Sequence, residues 1–172
     1  MENKKSLITK ILVPIDGSLH SDKVLNYAFD LAEKYSAEII LFSVAQTYVT
    51  TGPIFVTHPT SPLETQGVYI SEIETAHRKV LEKAFKKAKK DKPDLKVAKK
   101  LVNGRASEEI VKIAKEENFD LIVMGSRGLG GIKEFFLGSV SDRVADNAQC
   151  PVLIVKWIRI ALQIILFNIY RI

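Results

Sequence analysis

The sequence has one cysteine among 172 residues, Cys150, so no disulfide can form within the chain. Cys150 stands before Pro151 in an apolar run, the setting of a buried, reduced thiol in a cytosolic protein. Histidine is also scarce: His20, His58 and His77 fall in different segments without ligand spacing, which reads as solvent or loop histidines and not as a metal centre. The lysines of the opening MENKKSLITK are not followed by an apolar signal segment, so export is disfavoured and a cytoplasmic location expected. No stretch offers the roughly 20 apolar residues a bilayer span needs, since the uncharged section between Arg159 and Arg171 is 11 residues long. With 47% hydrophobic residues arranged in periodic blocks, the chain is not diluted enough in apolar residues to be disordered. Its length suits one compact domain.

Acidic residues are locally sparse, and that locates the net charge of +5. Residues 78–100 hold Arg78 and ten lysines against Glu82, Asp91 and Asp94, or +8, which leaves 14 bases against 17 acids elsewhere. The lysines from Lys79 to Lys92 alternate with Ile73, Ala76, Val80, Leu81, Ala84, Phe85 and Ala88, the pattern of a helix with one solvated and one core-packed face. Aromatic residues that could stack on bases are not interleaved with them, so a nucleic-acid partner is not expected.

What the chain does have is strict alternation of strand-like and helix-like segments, the mark of a parallel sheet with crossover helices. Strands are expected at Lys10 to Pro14, Glu38 to Val44, Val97 to Val102, Leu121 to Met124 and Val152 to Val155. Helices are expected from Ser21 to Tyr35, capped by Ser21 or Asp22, from about Ile70 to Lys90, after Gly104 and Ser107, and from Val140 to Asn147. The third strand is the least apolar and therefore reads as an edge. Residues 46–69, with three prolines, two glycines and many threonines, fit no period and read as a long functional loop. The architecture is a single three-layer α/β sandwich.

The most informative piece is Gly125-Ser126-Arg127-Gly128, nine further residues, then Gly138-Ser139, placed directly after a buried strand. In an open parallel sheet ligands bind beyond the carboxyl ends of the strands, where a helix N-terminus offers N–H groups to anions. Glycines there permit positive φ and close approach of backbone to phosphate. Ser139 is expected to cap the helix that follows while donating to a phosphate oxygen. A Walker loop is excluded because Gly130-Gly131-Ile132 stands where Gly-Lys-Ser/Thr is needed, and a dinucleotide fingerprint from Gly128 fails at Lys133.

The stretch resembles the phosphate and ribose loop of the nucleotide-binding universal stress proteins: Gly, two residues, Gly, nine residues, Gly, Ser or Thr. The resemblance covers roughly residues 7 to 156 and includes ILVPIDGS at Ile11 to Ser18, SEEIVKIAKEENFDLIVMGSRG at Ser107 to Gly128 and CPVLIVK at Cys150 to Lys156. It implies a five-stranded parallel sheet of order 3-2-1-4-5, the adenine nucleotide alpha hydrolase-like fold, and an ATP-type ligand, with Mg²⁺ or Mn²⁺ able to accompany it. Carried over by position, Pro14, Ile15 and Val44 would line the base and Asp16 would approach the ribose or the adenine edge. Met124, Gly125, Arg127 and Gly128 would edge the ribose and phosphates, and Gly138, Ser139, Val140 and Ser141 would hold the phosphates. Each position also has a plain structural use: Asp16 can close an Asx turn, Gly125 and Gly128 can form turns, Ser139 can only cap, and Val44 and Met124 suit a core.

The expected function is a small cytosolic, ATP-binding regulatory or stress-response module, with a nucleotide-independent dimeric interaction module and a slow ATPase as alternatives. Phosphoryl transfer needs placed cations, a metal cage and a group that orients the nucleophile. The loop offers mainly backbone donors and hydroxyls, with Arg127 and Lys133 as its cations. The resemblance also implies a homodimer through the last strand. Residues 1–156 thus read as a universal stress protein domain and 157–172, WIRIALQIILFNIYRI, as a hydrophobic C-terminal extension. That extension suits a dimer-edge element, a peripheral membrane contact or an appendage without selected function.

Overall fold

The computed structural model describes residues 6–18, 21–46, 71–128 and 137–156, together with the backbone course of 62–70. His20, His58, Lys133, most of the 46–69 segment and the 157–172 extension lie outside the described residues. Five strands, β1 (Lys10–Pro14), β2 (Glu38–Ala45), β3 (Val97–Asn103), β4 (Leu121–Gly125) and β5 (Val152–Val155), alternate with α1 (Ser21–Tyr35), α2 (Pro62–Asp91), α3 (Ala106–Glu116) and α4 (Ser139–Asn147). All pairings are parallel and the order is β3-β2-β1-β4-β5, the order expected.

The central strands are buried on both faces, which is why they read as unbroken apolar runs. Alternate residues serve opposite cores. Ile11, Val13, Ile39 and Leu41 pack with Val24, Leu25, Ala28 and Phe29 of α1 and with Leu81, Ala84 and Ala88 of α2. Leu12, Ile40, Phe42 and Ile122 pack on the other face with Ile110 and Ile113 of α3 and Val144 of α4. β3 lies at one edge with Ala98, Lys99 and Lys100 exposed, as its composition indicated.

Two helices end alike. Ser36 (φ 55°) follows α1 and Asn118 (φ 52°) follows α3, and in each case the next N–H reaches back into the helix, Ala37 to the Ala32 carbonyl and Phe119 to the Ala114 carbonyl. A left-handed residue turns the chain sharply into the next strand at these points. Asp120 then pins the sheet's lower end: one carboxylate oxygen accepts from the Thr9 N–H at 2.8 Å, the Thr9 hydroxyl at 2.7 Å and the Lys10 N–H at 3.0 Å.

Three expectations change. α2 starts at Pro62, eight residues earlier than expected, so 62–69 is helix and not loop. A proline tolerates the first helical turn because its missing N–H has no intrahelical partner there, whereas Gly67 weakens the periodic signal. Ala76, placed on the core face, is exposed. Ser21 is the first helical residue of α1, so it does not stand at the cap position.

The lysine-rich face of α2 is solvated at Lys79, Lys83, Lys86, Lys89 and Lys90, and nearby charges pair off. Lys87 meets Asp91 at 2.7 Å, Lys92 meets Glu33, and Lys99 meets Glu82. Cys150 is half-buried against the second core, and that burial pushes its thiol above the ordinary range. Among the described residues no helix is long and apolar enough to cross a membrane.

Candidate functional site

The strand order reverses at β1: the chain leaves it toward β2 and β3 on one side and returns to β4 and β5 on the other. Loops leaving the carboxyl ends of β1 and β4 therefore diverge and open a crevice. A cleft of about 700 Å³ lies there, within the range of small-molecule sites. All twelve residues singled out in the sequence line it: Pro14, Ile15 and Asp16 after β1, Val44 in β2, Met124, Gly125, Arg127 and Gly128 at and after β4, and Gly138, Ser139, Val140 and Ser141 at the start of α4.

The β1 end is built by pairing that outlasts the strand. The Ile15 N–H donates to the Phe42 carbonyl at 2.8 Å and carries the chain one residue further beside β2. Asp16 then turns it, one carboxylate oxygen accepting the Ser18 N–H at 2.9 Å. This is an Asx-type turn, and the other carboxylate oxygen lies against Gly128. Gly17 has φ 80°, and a Cβ there would stand 2.7 Å from a Val80 methyl of α2. Turn and helix thus meet at a position that only glycine fits.

The β4 end is tied to α4 through one carbonyl. The Ser126 carbonyl accepts the Gly138 N–H at 2.8 Å and the Ser141 hydroxyl at 3.0 Å, while the Ser126 N–H donates to the Val155 carbonyl at 3.1 Å. The first helical bond runs from the Asp142 N–H to the Gly138 carbonyl. That leaves the N–H groups of Ser139, Val140 and Ser141 at the open end of the helix, where the dipole favours an anion.

One of the expected roles is corrected here. The cap position of α4 is Gly138, and Ser139 is the first helical residue with no side-chain cap bond formed. The Ser141 hydroxyl is buried and turned inward to the Ser126 and Gly138 carbonyls, so its free contribution to the cleft is its N–H. The glycines of the motif also act differently than anticipated. Gly125, Gly128 and Gly138 do not have positive φ, and among the described residues only Gly17 and Gly104 do. Gly128 instead allows close approach, because a Cβ there would stand 2.4 Å from an Asp16 carboxylate oxygen and push it aside.

His77 is the residue the sequence reading missed. It lines the cleft from α2, half-buried, with Nδ1 2.8 Å from the Ser43 hydroxyl, which in turn donates to the Ile15 carbonyl at 2.8 Å. Burial lowers the imidazole below its ordinary pKa, and the Asp16 carboxylate opposes that shift. The signal was present: His77 lies four residues from both Ile73 and Leu81, on the inward face of the helix. Arg127 is the only lysine or arginine among the described residues lining the cleft. Among the described residues no three His, Cys, Asp or Glu side chains stand together as a metal site.

Comparison with known proteins agrees with this architecture. The universal stress protein family model matches residues 8–156. Universal stress protein YxiE of Bacillus subtilis is 37% identical over 153 residues, covering 87% of this chain and all of that protein. Universal stress protein MJ0531 of Methanocaldococcus jannaschii is 34% identical, covering 91% of this chain and 86% of that protein. A universal stress protein solved in complex with cAMP superposes with a TM-score of 0.59 at 25% identity, covering 87% of this chain and 97% of that one. With the family model spanning most of its length and the sheet in the same order, the chain belongs to the universal stress protein family.

Proposed function

We propose that the cleft binds an adenine nucleotide of the ATP type and that the protein is a cytosolic regulatory or stress-response module. The observation that carries this reading is the pairing, within one cleft, of an open helix N-terminus with a carboxylate that lies against Gly128. The first suits phosphate oxygens, and the second suits ribose hydroxyls, which donate to an acid. The body of the protein is mildly acidic, so phosphate affinity rests on the N–H groups of Ser139, Val140 and Ser141 with Arg127 beside them. A relative solved with cAMP supports a nucleotide ligand.

Mg²⁺ or Mn²⁺ would enter with the phosphates, its remaining ligands being phosphate oxygens and water. With Arg127 and Lys133 as the cations of the phosphate loop and mainly backbone donors and hydroxyls beside them, the site suits binding better than rapid turnover. In this reading two copies pair through β5, an edge strand on which Leu153 is 37% exposed. The universal stress protein domain ends near residue 156, and 157–172 is an appended hydrophobic segment.

Thermal denaturation with ATP and Mg²⁺ tests the reading. At an ATP concentration one hundred times Kd, linkage stabilises the fold by about 2.7 kcal/mol, a rise in Tm of roughly 5–10 °C for a domain of this size. An unchanged Tm at millimolar ATP would favour the nucleotide-independent interaction module.

A further inference from the structure

We infer that His77 is a specificity residue of the cleft, its Nε2 accepting a hydrogen bond from the exocyclic amine of an adenine base and thereby rejecting bases that carry a carbonyl at that position. The inference rests on the proposed nucleotide reading and adds to it the group that reads the base.

Ser43 is 1% exposed and has one hydroxyl proton. The Ile15 carbonyl can only accept, so at 2.8 Å the Ser43 proton is committed to it. The second contact of that hydroxyl, to His77 Nδ1 at 2.8 Å, then requires the imidazole to donate. A neutral ring that carries its proton on Nδ1 has a lone pair on Nε2. The two ring nitrogens point away from each other, so Nε2 is turned away from Ser43 on a side chain that lines the cleft. Burial disfavours the charged ring, which keeps Nε2 an acceptor at neutral pH.

Topology says which part of a nucleotide arrives there. The α4 N-terminus belongs to the β4 side of the cleft, tied by Gly138 to Ser126, while Ser43 belongs to β2 on the far side of β1. Two strand spacings separate them, about 10 Å. Phosphates held at α4 place the ribose over Asp16 at the end of β1 and carry the base on toward β2, beside His77. A 6-amino group finds an acceptor there. A 6-carbonyl faces a lone pair and leaves two acceptors without a proton between them, a mismatch that a hydrogen-bonding site penalises heavily.

Binding of ATP and of ITP, which replaces the 6-amino group by a carbonyl, is measured on the full chain by titration calorimetry. The two ligands share ribose and triphosphate, so their affinity ratio cancels general damage to the site. The wild-type protein is expected to prefer ATP at least tenfold. His77→Ala brings the ratio to within about threefold of unity, and His77→Gln, whose amide oxygen can accept, retains more of it than alanine does. Ser43→Ala leaves the ring in place but removes the acceptor that fixes its proton, and lowers the ratio at least threefold. A wild-type protein that binds ATP but does not discriminate overturns the inference. So does an unchanged ratio in His77→Ala or Ser43→Ala, or a parallel loss of both ligands with the ratio kept. Absence of any nucleotide binding to the wild type overturns the underlying reading, and this inference with it.

Discussion

A methyl group at position 128 is the smallest change that reaches the centre of the site. It would displace the Asp16 carboxylate, which one of its oxygens holds in place through the Ser18 N–H. Gly128→Ala is therefore expected to weaken ATP binding about tenfold, or about 1.4 kcal/mol, while lowering Tm by only a few degrees. Parallel calorimetry and thermal melts separate the two effects. Unchanged affinity would mean that the acid does not meet the ligand. The residue scale is also where reading the sequence was least complete. Gly128 stands out by its spacing, but the reason glycine is required, a neighbour 112 positions earlier in the chain, appears only when β1 and β4 lie side by side. Ser139 looks like a cap because serine is a good one, yet Gly138 occupies that position and a backbone bond to Ser126 does the fixing. In the sequence His77 is one of three scattered histidines, and its role depends on a hydroxyl 34 residues away.

At the scale of elements, the strands were legible because burial on both faces leaves little room for polar residues in β1, β2 and β4. The start of α2 was not, since proline reads as a helix breaker unless it is known to stand in the first turn, and Gly67 is a weak helix former. The helix ends carry a testable cost. Ser36 holds a left-handed conformation at φ 55°, which a Cβ disfavours. Ser36→Gly is expected to stabilise the protein by about 0.5–1 kcal/mol, read as a higher denaturant midpoint with unchanged m-value. Asn118→Gly should change it less, because asparagine tolerates the same region.

Another element-level prediction concerns Glu117 at the end of α3. Hydrogen bonds from Lys100 and Lys10, the latter at 3.0 Å, hold its carboxyl below the ordinary range. A depressed folded pKa means that the pair contributes stability above the unfolded value and loses it as pH falls through the folded one, so the loss begins near pH 4.5 and continues downward. Because the side chain is 34% exposed, the contribution is below about 1 kcal/mol. Glu117→Gln should lower the denaturant midpoint slightly at pH 7, and the difference from the wild type should shrink as pH falls below 4.5.

For the whole molecule, the two halves of the sheet meet at β1, and the cleft exists because the chain crosses from one half to the other there. Among the described residues β5 is an edge of the sheet with Leu153 exposed, and the proposed dimer would extend the sheet there. Leu153→Lys is expected to convert a dimer to monomer in light scattering without loss of ATP binding, since that side chain does not line the cleft. The most direct test of the account is titration calorimetry of ATP with Mg²⁺ into the full chain, run beside Asp16→Ala. The account predicts one nucleotide bound per chain by the wild type and at least tenfold weaker binding by the variant. No measurable binding by wild-type protein at millimolar ATP would contradict it.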